Sequence, residues 1–109
     1  MSAERRNNRR EARKFKRIFV RYGHKRPEHK AIAQQISASG LFLATNEIVY
    51  ANNSPVVVEI KGPSETWLVA GFVRYAIKVH PGLARFSKPG MGVELTTIPP
   101  PCRDYLASL

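Results

Sequence analysis

The sequence predicts a mostly β fold: a small antiparallel barrel of six or seven strands, preceded by a disordered basic arm and followed by a short C-terminal helix. Three observations carry this expectation. Apolar residues alternate with polar ones at a period of two in several short runs, which is the period of a half-buried strand. Pro, Gly, Asn and Ser punctuate the chain between those runs, so the elements are short and joined by turns. Charge is unevenly spread: the first seventeen residues hold eight of the eighteen Lys and Arg, against only Glu4 and Glu11.

Residues 1–13 form the arm, with Arg, Asn and Glu and almost nothing apolar to bury. Residues 14–109 form the barrel with its helical tail. Ile18, Val20 and Tyr22 alternate with Phe19 and Arg21 as the first strand, which Gly23 ends. Residues 24–29 (HKRPEH) are a polar turn around Pro27. Residues 30–36 resume an extended course, and Ser37 to Gly40 turn into the apolar strand Leu41-Phe42-Leu43-Ala44. Asn46, Asn52, Asn53, Ser54 and Pro55 bracket a longer connection. The β-branched run from Val56 to Ile60 is the next strand, closed by the turn Gly62-Pro63-Ser64. Residues 67–79 are the longest extended run, and Gly71 within it marks a bulge or a close approach of backbone. Turns at Pro81-Gly82 and Pro89-Gly90 flank a short strand around Arg85 and Phe86. Residues 91–95 are the last strand. Pro99-Pro100-Pro101 breaks the sheet, and Pro101 can open a helix from about Cys102 to Leu109.

A chain of 109 residues supports one domain with a modest core. Its 43% apolar and 24% charged residues are those of an ordinary globular protein. No apolar run is long enough to span a bilayer, and the charged N-terminus with no apolar stretch behind it is unlike a secretory signal. The single Cys102 can form no internal disulfide, so the expected setting is the reducing cytoplasm. A net charge of +10 calls for an anionic partner. His24, His29 and His80 lack ligand spacing to one another or to Cys102, and are expected as loop residues rather than a metal site. Eight acids spread thinly, without paired carboxylates, a nucleophile elbow or a glycine-rich phosphate loop, point away from an enzyme.

Six of the eight arm cations are arginines, whose planar donor fork matches phosphates and guanine edges and stacks on bases. Within the arm, Arg9 and Arg13 form an R-x-x-x-R pair, with Arg10 and Arg17 as further members of overlapping registers. Downstream, Gln35-Ile36-Ser37-Ala38-Ser39-Gly40 lies between the second and third strands. Together these resemble the PilZ domain, the bacterial receptor module for cyclic di-GMP, whose pattern is R-x-x-x-R on an N-terminal arm followed by [D/N]-x-S-x-x-G. Val20-Arg21-Tyr22, the Gly40-Leu41-Phe42-Leu43 continuation and the close at Gly90-Met91-Gly92-Val93-Glu94-Leu95 are also similar to family members, so the likeness covers about residues 9–98.

The resemblance implies a ligand site made of Arg9, Arg13, Gln35, Ser37 and Gly40, with Arg10 and Arg17 as additional contacts. It implies cyclic di-GMP as ligand, no cofactor, and an unidentified effector protein as partner. Gln35 departs from the pattern: it accepts as an Asn does, one methylene farther out, and lacks the charge of an Asp. Weakened or altered binding is therefore expected. Gly40 is expected to serve a tight turn with positive φ or a close ligand approach. Two alternatives stay open, a PilZ-like adaptor that acts by protein contact without nucleotide, as in pilus assembly, and a small basic barrel that binds RNA or single-stranded DNA.

Overall fold

The computed structural model describes residues 16–79 and 88–109. Six antiparallel strands close into a barrel: β1 (Ile18–Gly23), β2 (His29–Gln34), β3 (Gly40–Ala44), β4 (Pro55–Lys61), β5 (Thr66–Ile77) and β6 (Gly90–Thr97). Around the barrel the order is β1-β2-β3-β6-β5-β4. One helix follows, α1 (Pro100–Ser108). The expected arm, with Arg9, Arg10 and Arg13, and the expected strand around Arg85 and Phe86 lie outside the described residues.

Alternation builds the core. Val20 and Tyr22 of β1, Ala31 and Ala33 of β2, and Leu41 and Leu43 of β3 are buried. So are Val56, Val58 and Ile60 of β4, Val69 and Val73 of β5, and Met91, Val93 and Leu95 of β6. The register of the long strand with β6 shifts twice, between Ala70 and Gly71 and between Val73 and Tyr75. The bulge expected at Gly71 is the first of these. A Cβ there would lie 2.0 Å from the Glu94 carbonyl oxygen, so only glycine lets the two backbones approach.

Several element boundaries differ from the sequence reading, β5 ending at Ile77 and β6 running to Thr97 among them, and three of the differences have a local cause. His29 opens β2 instead of ending a turn, because Tyr22 pairs with it across the β1–β2 ladder. β2 stops at Gln34, since Gln35 turns out of the strand with φ 49°. Helix α1 begins at Pro100, with Pro99 as its N-cap. Two prolines fit the first turn because the amide protons they lack have no intrahelical acceptor there. The helix buries Cys102 and Leu106 in the core and lays Tyr105 against Trp67 at the start of β5, ring centroids 5.5 Å apart.

Register fixes what shares an end of the barrel. Ile18 pairs with Ala33, so β1 begins beside the end of β2. Gly40, the first residue of β3, pairs with Glu94 near the end of β6. The segment entering β1, the β2–β3 corner and α1 therefore gather at one end. The other end carries a polar and aromatic cluster around Tyr22, whose hydroxyl donates to the Ile48 carbonyl and lies 3.3 Å from the Thr45 hydroxyl.

Candidate functional site

The β2–β3 corner is rigidly tied. The Ser37 amide donates to the Gly40 carbonyl at 2.9 Å, and the Ser37 hydroxyl donates to the same oxygen at 3.2 Å. The Leu95 amide donates to the Ser39 carbonyl at 2.8 Å, which pins the corner to β6. Ile36 is driven into the core as the anchor of the turn. These bonds leave the Ser37 oxygen lone pairs as acceptors at the rim.

The expectation for Gly40 is corrected. No glycine among the described residues has positive φ; the left-handed backbone falls on Gln35 (φ 49°) and Asn53 (φ 70°). Gly40 is required because a Cβ would come within 2.6 Å of the Val93 carbonyl oxygen on the neighbouring strand. Left-handed backbone is most easily adopted by Gly, Asn or Asp. The position at which the sequence carries Gln is thus one where a shorter Asx side chain would sit with less strain.

Beside the corner lies an open cleft of about 540 Å³. Ser37, Ser39 and Gly40 form one wall, and Arg74, Tyr75 and Glu94 contribute another. Its size falls within the usual range for small-ligand sites. Two glycines of β6, of which Gly92 lines the cleft, make room for aromatic rings. Phe42 of β3 and Tyr75 of β5 both lie opposite Gly92 of β6 in the ladder. A Cβ on Gly92 would meet the Tyr75 ring at 2.2 Å, and one on Gly90 would meet the Phe42 ring at 2.5 Å. Two rings thus lie over bare backbone, within 25° of parallel and with centroids 6.2 Å apart. Tyr75 keeps 42% of its surface exposed and offers a ring to a planar ligand.

The electrostatics of the cleft are balanced. The Arg74 guanidinium forms an ion pair with the Glu94 carboxylate across the β5–β6 ladder. The corner supplies hydroxyl and carbonyl groups, so an anionic ligand would need cations from elsewhere. Arg17, exposed one residue before β1, is the last member of the arginine-rich segment and the only one of its arginines among the described residues. It stands at the same barrel end as the corner, because Ile18 pairs with Ala33.

Of the residues expected from sequence, Ser37 and Gly40 line the cleft, Gln35 stands two residues before Ser37 at the turn, and Arg17 lies near its edge of the barrel. Arg9, Arg10 and Arg13 lie outside the described residues. Arg74 and Glu94 were missed by sequence reasoning. The available signal was the alternation Gly90-x-Gly92 facing an aromatic strand, which marks a place where rings fill for absent side chains.

The groups with displaced pKa values lie away from the cleft. Burial pushes the Tyr22 phenol and the Cys102 thiol up. Glu47 is held below the usual carboxylate range, chiefly by the Lys30 amide at 3.1 Å and next by His29 at 3.0 Å. His24 stacks on Tyr50 with centroids 3.8 Å apart. His29 thus lies in β2 instead of a loop, while His24 is an exposed residue of the β1–β2 loop, as expected.

No protein-family model matches the sequence, and neither does any curated protein. Among solved structures, the fold is similar to that of the inhibitor of motility MotI/DgrA of Bacillus subtilis. The similarity extends over 90% of this chain with a TM-score of 0.68 at 17% identity. The chain spans about half of that protein's length, 47%. Among the described residues no helix is long and apolar enough to cross a membrane.

Proposed function

We propose that this chain is a PilZ-type receptor that binds cyclic di-GMP at the β2–β3 corner and transmits occupancy to an effector protein. One observation carries the reading: Ser37 and Gly40, the second half of the expected motif, border the cleft at the barrel end where the arginine-rich segment joins β1. The fold likeness to a motility inhibitor agrees with a regulatory role.

The mechanism is a clamp. Cyclic di-GMP carries two phosphates and two guanines, and each guanine edge offers N7 and O6 to one bidentate arginine. Arg13 is five residues before Ile18, so its Cα reaches about 17 Å from the start of β1 in an extended course. That is ample to cross from β1 past the end of β2. Arg9 and Arg13 would close over a ligand resting on the corner, with Gln35 and Ser37 accepting from guanine N–H groups. Tyr75 offers a stacking surface. Because Arg74 is already neutralised by Glu94, the arm supplies most of the charge that meets the phosphates.

Calorimetry with cyclic di-GMP tests this. Arg13→Ala removes a charge-assisted bidentate contact worth about 1–3 kcal/mol, so affinity falls roughly 5- to 150-fold. An Arg13→Ala variant that binds as tightly as the wild type would refute the site. A second reading, an adaptor that works by protein contact without nucleotide, is favoured by Gln35 in place of Asp or Asn. Gln35→Asp separates the two: a sharp tightening marks a weakened but real pocket, and continued absence of binding favours the adaptor.

A further inference from the structure

We infer that the outer wall of β1, β2 and β4 is a docking surface for an acidic protein partner, with Phe19 as its apolar anchor. Phe19 is 84% exposed, a large aromatic left in water on a strand whose other face is core. It borders a groove of about 200 Å³ that also takes in Arg21, Lys30, Glu59 and Lys61. Its cross-strand neighbour is Ile32, which extends the apolar spot onto β2. Among the described residues, no ion pair occupies the charged groups of Arg21, Lys30 or Lys61. Three cations and one acid thus ring an exposed phenyl group, the composition of a polar rim around an aromatic hot spot.

Charge and shape select the occupant. A second copy would set these cations against their own counterparts, since a two-fold interface pairs like surfaces. A nucleic acid strand needs a run of aromatic platforms for successive bases, whereas this wall has one ring beside an aliphatic side chain and a carboxylate. A protein surface with an apolar socket rimmed by Asp and Glu satisfies both features. β1 stands across the barrel from β6, so this wall is separate from the cleft, and the inference holds whether or not the cleft binds a dinucleotide.

The test pans a phage-displayed library of random peptides against the full chain, with the Phe19→Ser chain as counter-selection, and measures recovered peptides by calorimetry. The expected peptides are rich in Asp and Glu around an apolar centre. Phe19→Ser weakens them about 30-fold, the loss typical of a central anchor, while melting at the wild-type temperature because the side chain is exposed. Lys61→Glu slows their association and flattens its salt dependence. Recovered peptides without acidic bias, or binding indifferent to Phe19, would overturn the inference. So would a Phe19-dependent dimer in sedimentation, or Phe19-dependent binding to phosphatidylglycerol vesicles or single-stranded DNA.

Discussion

Gly71→Ala is a sharp test of the register that builds the cleft. The added methyl carbon would sit 2.0 Å from the Glu94 carbonyl oxygen and 2.9 Å from the Leu95 Cα. Both are backbone atoms of β6, which is hydrogen-bonded on one side to β5 and on the other to β3, so they cannot swing aside. Restoring contact distance requires β6 to retreat by about 1 Å, which breaks roughly two ladder hydrogen bonds at about 1 kcal/mol each. Overpacking adds about 1–3 kcal/mol, offset by about 0.4–1 kcal/mol from the stiffer unfolded chain. The net loss is about 3 kcal/mol, or roughly 12–24 °C in melting temperature for a domain of this size. Gly92→Ala is the control. Its methyl carbon would lie 2.2 Å from the Tyr75 ring, but that ring is exposed and can rotate outward. Its stability loss stays under about 1 kcal/mol, while a ligand stacked on Tyr75 loses affinity. Urea and thermal unfolding followed by circular dichroism distinguish the two. If Gly71→Ala melts with the wild type, or both variants melt together, the bulge is wrongly placed.

Two further outcomes follow from the opposite end of the barrel and from the helix. Tyr22→Phe removes the hydroxyl that donates to the Ile48 carbonyl. Ile48 is exposed, so water can replace the donor, and the cost is about 1 kcal/mol. Thermal melts should show a drop of about 4–8 °C, and no change would mean that the bond is not formed in solution. For pH, the Tyr22 phenol and Cys102 thiol have folded pKa values raised by burial. Their contribution is intact below the ordinary thiol and phenol range of about 8.5–10. It is lost as pH rises through the folded values, because the unfolded chain ionises first. Glu47 has the opposite sign: its folded pKa is lowered, so its contribution is present above about pH 4.3 and lost as pH falls through the folded value. Urea midpoints across pH should therefore fall at both extremes, with Cys102→Ala flattening the alkaline limb and Glu47→Gln the acid limb.

The strands were legible because burial on one face imposes a period of two, and that pattern is local. The same locality made Gly71 readable as a bulge. The cleft was only half legible. Ser37 and Gly40 lie three positions apart in one turn, but Arg74, Tyr75 and Glu94 reach the corner through pairing of β3, β6 and β5, including a register shift after Val73. No local pattern encodes that shift. The reason for Gly40 was misread for the same cause, since the atom that excludes its Cβ belongs to Val93, more than fifty residues away. The left-handed turn at Gln35 was unreadable because Gln carries no preference for that backbone, as Asn or Gly would have done.

Closure of the sheet has a consequence for how this protein can meet others. Each of the described strands is hydrogen-bonded on both flanks, so among the described residues no free sheet edge is left to recruit an extended segment by strand addition. Association with the described barrel wall is thus read through the side chains that project from it. Binding specificity can therefore be rewritten by single exchanges at outward positions such as Phe19, while the ladder that holds the molecule together stays untouched.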